Sequence, residues 1–204
     1  MEWGSIPDLV SACSNIAMAG AAVYAAFNAK RWFSQRSHTK GFDKAEEILV
    51  QIDTLFRKTI EGINELHGTL ELLGSVSNKT KAADHSFLDK YEELSNQHNH
   101  IIKIIDRLSE ELELIERWSI EIKNQEIIKT TIKAFRDTHV SASNAYVAAR
   151  SAVYNLNYLG FDNFEPTYKH FKDIYGDYLS EIATSEYQYS NFKKQKFTNF
   201  FKIK

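Results

Sequence analysis

Residues 128–156 read IKTTIKAFRDTHVSASNAYVAARSAVYNL, and the spacing of their apolar side chains decides the fold class. Ile128, Ile132, Phe135, His139, Ala142, Tyr146, Ala149, Val153 and Leu156 follow one another at alternating steps of four and three. That rhythm lines side chains along one face of an α-helix as a coiled-coil-like seam. Upstream, Ile101, Ile105, Leu108, Leu112, Ile115 and Ile122 keep the same steps if Ser119 fills one position. Glu110, Glu111, Glu113, Glu116, Lys103, Arg107 and Arg117 flank this second seam.

The two seams fall out of register across Gln125. The chain therefore either breaks near Lys123-Asn124-Gln125 or runs on through a stammer-like shift. One unbroken helix over 87–159 would be on the order of 110 Å long and would need a second chain to cover its seam. Three or four antiparallel helices within one chain cover one another, so an all-α, up-and-down bundle is the expectation.

Outward from these seams the helix signals continue. Gly160 marks a stop, and Asp162 with Glu165, followed by Pro166, marks a new start for a shorter helix carrying Tyr168, Phe171, Tyr175 and Tyr178. Asp43 with Glu46 has capping-box spacing, and Gly74 stands where a helix C-cap takes glycine. Between them lie Ile52, Phe56, Ile63, Leu66, Leu70 and Leu73. Only Gly41 interrupts a run that could continue helically from further upstream. Residues 74–86 read as a polar surface connection, and Ser86 with Asp89 starts the next helix.

Composition agrees. Pro occurs twice and Gly eight times in 204 residues, too few for a fold punctuated by turns every ten residues. Cys13 is the only cysteine, which excludes an internal disulfide and any cysteine-based metal cage.

Residues 9–29, LVSACSNIAMAGAAVYAAFNA, hold no Asp, Glu, Lys, Arg or His. The run is long enough to cross a hydrocarbon core of roughly 30 Å and predicts a single-pass transmembrane helix. Glu2 and Asp8 precede it, while Lys30, Arg31, Arg36 and Lys40 follow. The positive-inside rule then puts the bulk of the chain on the cytoplasmic side of an inner membrane. Trp3, and Trp32 with Phe33, sit at the two ends, where aromatic rings favour the headgroup region. A buried or peripheral alanine-rich helix is the competing reading, and a cleaved signal peptide ranks behind it because the cations follow the apolar run instead of preceding it. Cys13, Ala17, Ala21 and Ala25 recur every fourth position, a stripe that lets two helices approach closely in lipid and predicts self-association.

Charge is segregated. Residues 1–40 carry +2 and residues 187–204 carry +5, which leaves −9 for residues 41–186 of a chain with net −2. Three regions follow: an anchor with its basic flank (1–40), a cytoplasmic helical body (41–186) and a basic aromatic tail (187–204). In the tail Lys193, Lys194, Lys196 and Lys202 alternate with Phe197, Phe200 and Phe201. Lysines on anionic headgroups with aromatics in the interface make membrane lipid the first expected partner. Single-stranded nucleic acid, with bases stacked on the rings, ranks behind it. A third reading packs the aromatics on the bundle.

Catalytic signatures are missing. The glycines are scattered singly, so there is no phosphate-binding loop, and neither HExxH nor G-x-S-x-G occurs. His98 and His100 are two apart and project from different helix faces, and no cofactor or metal is expected. His139 reads as a hydrogen-bonded core residue. The expected function is a non-enzymatic, membrane-anchored scaffold or sensor that self-associates and engages a partner. A membrane-perturbing effector of a bacterial stress or phage-defence system is the first alternative. A soluble bundle binding nucleic acid through its tail is the second.

Overall fold

The computed structural model describes residues 6–118 and 120–203. Four long helices carry the fold: α1 (Ile6–Ser77), α2 (Ser86–Leu114), α3 (Gln125–Tyr158) and α4 (Phe161–Lys193). A 3-10 turn (Ile115–Trp118) and a strand β1 (Ile120–Ile122) separate α2 from α3. A single helical turn α5 (Phe197–Phe200) and a strand β2 (Phe201–Ile203) close the chain. β1 and β2 pair antiparallel, with Ile120 opposite Ile203 and Ile122 opposite Phe201.

α2 runs antiparallel to α3, and α1 to α4, as their cross-links show. Asp106 on α2 pairs with Arg136 on α3 at 2.8 Å, and Glu92 with Arg150 at 3.0 Å. Asp53 on α1 accepts from the Tyr189 hydroxyl of α4 at 3.0 Å, while Ser77 donates to Glu165 at 2.7 Å. The expected up-and-down bundle is the observed one. Along α3, Ile128, Ile132, Phe135, His139, Ala142, Tyr146, Ala149 and Val153 are all buried, and Leu156 is half-buried at the end. The alanines at 142, 145, 149 and 152 are at most 1% exposed and let α2 and α4 come close to α3. From α4, Phe164, Tyr168, Phe171, Tyr175 and Tyr178 fill the space that these small residues leave.

Of the two courses open between the seams the chain takes the break near Lys123-Asn124-Gln125, where Asn124 has a left-handed conformation with φ 47° before α3 begins. Several other local boundaries differ from the sequence reading. Asp43 starts no helix: α1 runs through it without interruption from Ile6, the continuous course that the sequence also allowed. Gly41 is a point of close approach. A Cβ there would lie 2.6 Å from the Trp118 carbonyl oxygen and 2.8 Å from Ile120 Cγ1, so only glycine lets the turn after α2 pack on α1. Gly74 is likewise no cap, since α1 ends at Ser77 and Lys79 supplies the left-handed turn residue with φ 59°. Bare backbone at Gly74 instead leaves room for the Tyr168 hydroxyl, 3.1 Å from where a Cβ would sit. α4 is long, because its seam continues past Tyr178 through Ile182, Ser185 and Phe192.

The core has two halves. One gathers Leu66, Leu73, Tyr91, Tyr146 and Phe171 with their neighbours, at the end of the turn between α1 and α2. The other gathers Ile48, Ile52, Ile105, Leu108, Phe135, Phe200 and Phe201.

The amino-terminal third of α1 belongs to neither half. From Val10 to Phe33 every side chain whose exposure is described is exposed. We refer to it as the stalk. The buried-helix reading of residues 9–29 does not hold, because the bundle is closed without them. Yet among the described residues no helix is long and apolar enough to cross a membrane. The expectation of a spanning helix is not supported at that level, since Ser14, Asn15, Asn28 and many alanines dilute the apolar content. Glu2, Trp3, Ser119 and Lys204, used in the sequence reading, lie outside the described residues.

Leu108 is 1% exposed whereas Leu114, less than two turns on, is 43% exposed. Leu108→Asp places a charge in the second core half and should abolish cooperative thermal unfolding followed by circular dichroism. Leu114→Asp should melt within a few degrees of the parent. Equal behaviour of the two variants would contradict the seam.

Candidate functional site

Two features stand out from the packed bundle, one at its surface and one at its waist. The surface feature is the stalk and its root. Alanine dominates the stalk, and after Pro7 no proline interrupts it, so helix is the favoured local state. It exposes Ile16 at 73%, Val23 at 56%, Tyr24 at 72% and Phe27 at 64%. Cys13, Ala17, Ala21 and Ala25 are exposed as well, Cys13 as a free thiol. By i, i+3 spacing Ser14 and Asn28 share their face. Ile16, Val23 and Phe27, at steps of seven and four, form a different, bulkier face. At the foot of this segment Lys30, Arg31 and Arg36 are exposed. The Arg36 guanidinium lies over the Trp32 ring at 5.0 Å, and Trp32 meets Phe33 edge-on.

Tertiary structure brings the carboxyl-terminal tail to this same root. Phe197 packs on Phe42 with ring centroids 4.6 Å apart, and Phe200 and Phe201 are 1% and 3% exposed in the core half that holds Ala45 and Ile48. Tyr189 stacks on Phe56 at 3.8 Å. Phe192, Phe200 and Phe201 of the tail are therefore core, and with the half-buried Tyr189 and Phe197 they cover the open end of the bundle. Lys193, Lys194, Lys196 and Lys202 stay exposed. Lys40 reaches over Trp118 at 5.8 Å. The two basic segments, more than 150 residues apart in the chain, thus meet at one end.

The second feature is a polar layer between the two core halves. It joins Thr59 of α1, Ser95 and His98 of α2, Thr138, His139 and Ser143 of α3, and Ser185 of α4. Ser95 bonds Ser143 at 2.9 Å, and Thr138 bonds Ser185 at 2.8 Å. His98 Nδ1 meets His139 Nδ1 at 2.8 Å, and His139 Nε2 meets Thr59 Oγ1 at 3.2 Å.

Hydrogen-bond logic assigns the protons in this chain. The Thr59 hydroxyl donates to the Leu55 carbonyl at 2.9 Å, so toward His139 it accepts. His139 is then the Nε2–H tautomer and offers the Nδ1 lone pair, to which His98 donates its Nδ1–H. The arrangement needs a neutral His139, and burial disfavours charge on His98 as well. Burial pushes His98 down to about 4, and burial together with the His98 ring pushes His139 down to about 3, against an ordinary value near 6.5.

His139 was legible as a core position. Its partner was missed, although the signal exists: continuing the four-three rhythm backward from Ile101 reaches His98, Leu94 and Tyr91. His100 lies off that line and is exposed. Among the described residues no three His, Cys, Asp or Glu side chains are grouped to hold a metal ion. No family model, no curated protein and no solved structure matches this chain.

The neutral pair makes stability depend on pH. Below about 6.5 the unfolded chain binds protons at both imidazoles while the folded chain does not, so stability falls as pH falls. The pair together costs the fold on the order of 1 kcal/mol or more by pH 5. Unfolding in urea should therefore require less denaturant at pH 5 than at pH 7.5. His98→Asn should remove about half of that decline, and an unchanged slope would refute the neutral pair.

Proposed function

We propose that this protein is a membrane-anchored, non-enzymatic helical scaffold whose stalk enters the lipid phase and whose bundle stands at the cytoplasmic face. The observation that carries this reading is the stalk itself. Residues 9–29, with no ionisable group other than Cys13 and Tyr24, project from a bundle that is complete without them, and a cluster of cations marks the root. Water is a poor solvent for such a helix, since exposed apolar surface costs about 25 cal/mol per Å². Lipid covers it, and the cations then mark the cytoplasmic boundary.

The stalk is only moderately apolar, and association of copies supplies what single-helix insertion lacks. Packing through Cys13, Ala17, Ala21 and Ala25 would also hide Ser14 and Asn28 between helices and leave Ile16, Val23 and Phe27 to face lipid chains. A membrane-tethered bundle with long seams and clustered stalks suits a scaffold or sensor that concentrates a partner at the membrane.

Flotation with phospholipid vesicles tests the anchor. The full chain should float, and Val23→Asp combined with Phe27→Asp should stay at the bottom with its helicity intact. A parent chain that fails to float would end this reading. In membranes, Ala17→Leu with Ala21→Leu should reduce Cys13-mediated cross-linking between copies, and equal cross-linking would remove the small-residue face as the interface.

A further inference from the structure

The sequence separates two basic segments by most of the chain, and each alone is an ordinary charged stretch. Their meeting at one end of the bundle is a tertiary fact with its own consequence. Residues 30–42 contain Lys30, Arg31, Arg36 and Lys40 and no acid. The tail contributes Lys193, Lys194, Lys196 and Lys202. These tail lysines are held in place and do not trail. The Phe200 carbonyl accepts from the Lys123 amide at 2.6 Å, and the Asn199 carbonyl accepts from the Asn124 side chain at 3.0 Å. The rings of Phe192 and Phe200 stack at 5.0 Å, anchoring the chain on both sides of Lys193, Lys194 and Lys196.

Acidic groups at this end are accounted for. Glu121 stands opposite Lys202 across the β1–β2 ribbon. Glu47 and Glu111 are both engaged by Lys44, at 2.9 and 2.8 Å. Asp43, Glu46, Glu110, Glu113, Glu116 and Glu126 remain, Glu113 facing Lys129 at 3.9 Å. With Lys44, Arg117, Lys123 and Lys129 added to the basic residues named above, the cations at this end still outnumber the acids. The rest of the body carries the chain's negative excess. The molecule is thus electrically polarised along its axis, positive where the stalk leaves it.

We propose that this root forms a two-part cationic collar that binds anionic phospholipid headgroups, with the tail lysines as the second part. The inference rests on the anchoring reading of the stalk and adds lipid selectivity to it. The collar acts by charge and not by insertion, because Phe200 and Phe201, which the tail would need for insertion, are buried in the core. Screening confines such attraction to about 8 Å at physiological salt, so it works only where the stalk already holds the root against the surface. The acidic body is repelled by the same surface, which sets the bundle upright.

The test uses the full chain and vesicles of phosphatidylcholine alone or of equal parts phosphatidylcholine and phosphatidylglycerol. The parent should partition more strongly into the anionic vesicles, and the preference should shrink with added salt. Lys193→Gln, Lys194→Gln, Lys196→Gln and Lys202→Gln together should lower partition into anionic vesicles by about tenfold or more, leaving partition into neutral vesicles and the melting curve unchanged. Equal partition into both vesicles, or an anionic preference that the four substitutions leave intact, overturns the collar while the anchor stands. Partition into neither overturns the anchor and the collar with it. Displacement from anionic vesicles by a single-stranded oligonucleotide, lost in the same variant, would assign the lysines to nucleic acid and overturn the lipid assignment.

Discussion

The arrangement depends on the narrow face of α3. Its seam alternates large and small side chains, and the alanines at 142, 145, 149 and 152 let α2 and α4 approach closely. Close approach buries backbone as well as side chain and leaves room for a column of rings from α4, in which Phe164, Tyr168, Phe171 and Tyr175 succeed one another at centroid separations of 5.6 to 6.4 Å. With large residues at those alanine positions, α4 would stand off and its aromatics would lose their neighbours. α1 joins last in this sense, laying Ile48, Ile52, Leu66 and Leu73 into the groove that the other three helices define.

A bundle built from four-three seams has a weakness, because an apolar seam can slide by a heptad and still find apolar partners. The polar layer at the waist removes that freedom. His98 with His139 and Ser95 with Ser143 pair between helices in this register, and a shift would leave these buried groups without those partners. The layer also divides the core into two halves with different duties. One is a conventional helical core. The other is completed by the carboxyl terminus, whose aromatics close the bundle against α1 and β1.

That closure ties architecture to the proposed role. The chain's two ends are both spent at one pole, the amino-terminal one as a projecting stalk and the carboxyl-terminal one as a plug. The plug's rings face inward and its lysines outward, so a single segment serves packing and surface charge at once. Continuity of α1 matters here as well. One helix passes from the stalk through the root to the far turn and carries Thr59 of the polar layer on its way.

Local periodicity determined most of the secondary structure, because a helix's buried face is written into spacing along the chain itself. The seams of α2 and α3, the stop at Gly160 and the ring-bearing face of α4 were all legible for that reason. Short-range signals misled where packing overrides them: Asp43 and Glu46 look like a helix start inside α1, and Gly41 and Gly74 look like breaks although they mark close approach by Trp118 and Tyr168. The rhythm puts His98 on the α2 seam and composition allows the tail aromatics to pack inward, but no local signal announces that His98 meets His139, that β1 pairs with β2, or where Phe200 and Phe201 are buried. Each depends on residues from distant parts of the chain meeting in space. Charge followed the same division. The sequence by itself determined that both ends are basic, and only the tertiary structure decided that the two ends share one pole, because that placement is set by the rings that plug the bundle and not by the lysines between them.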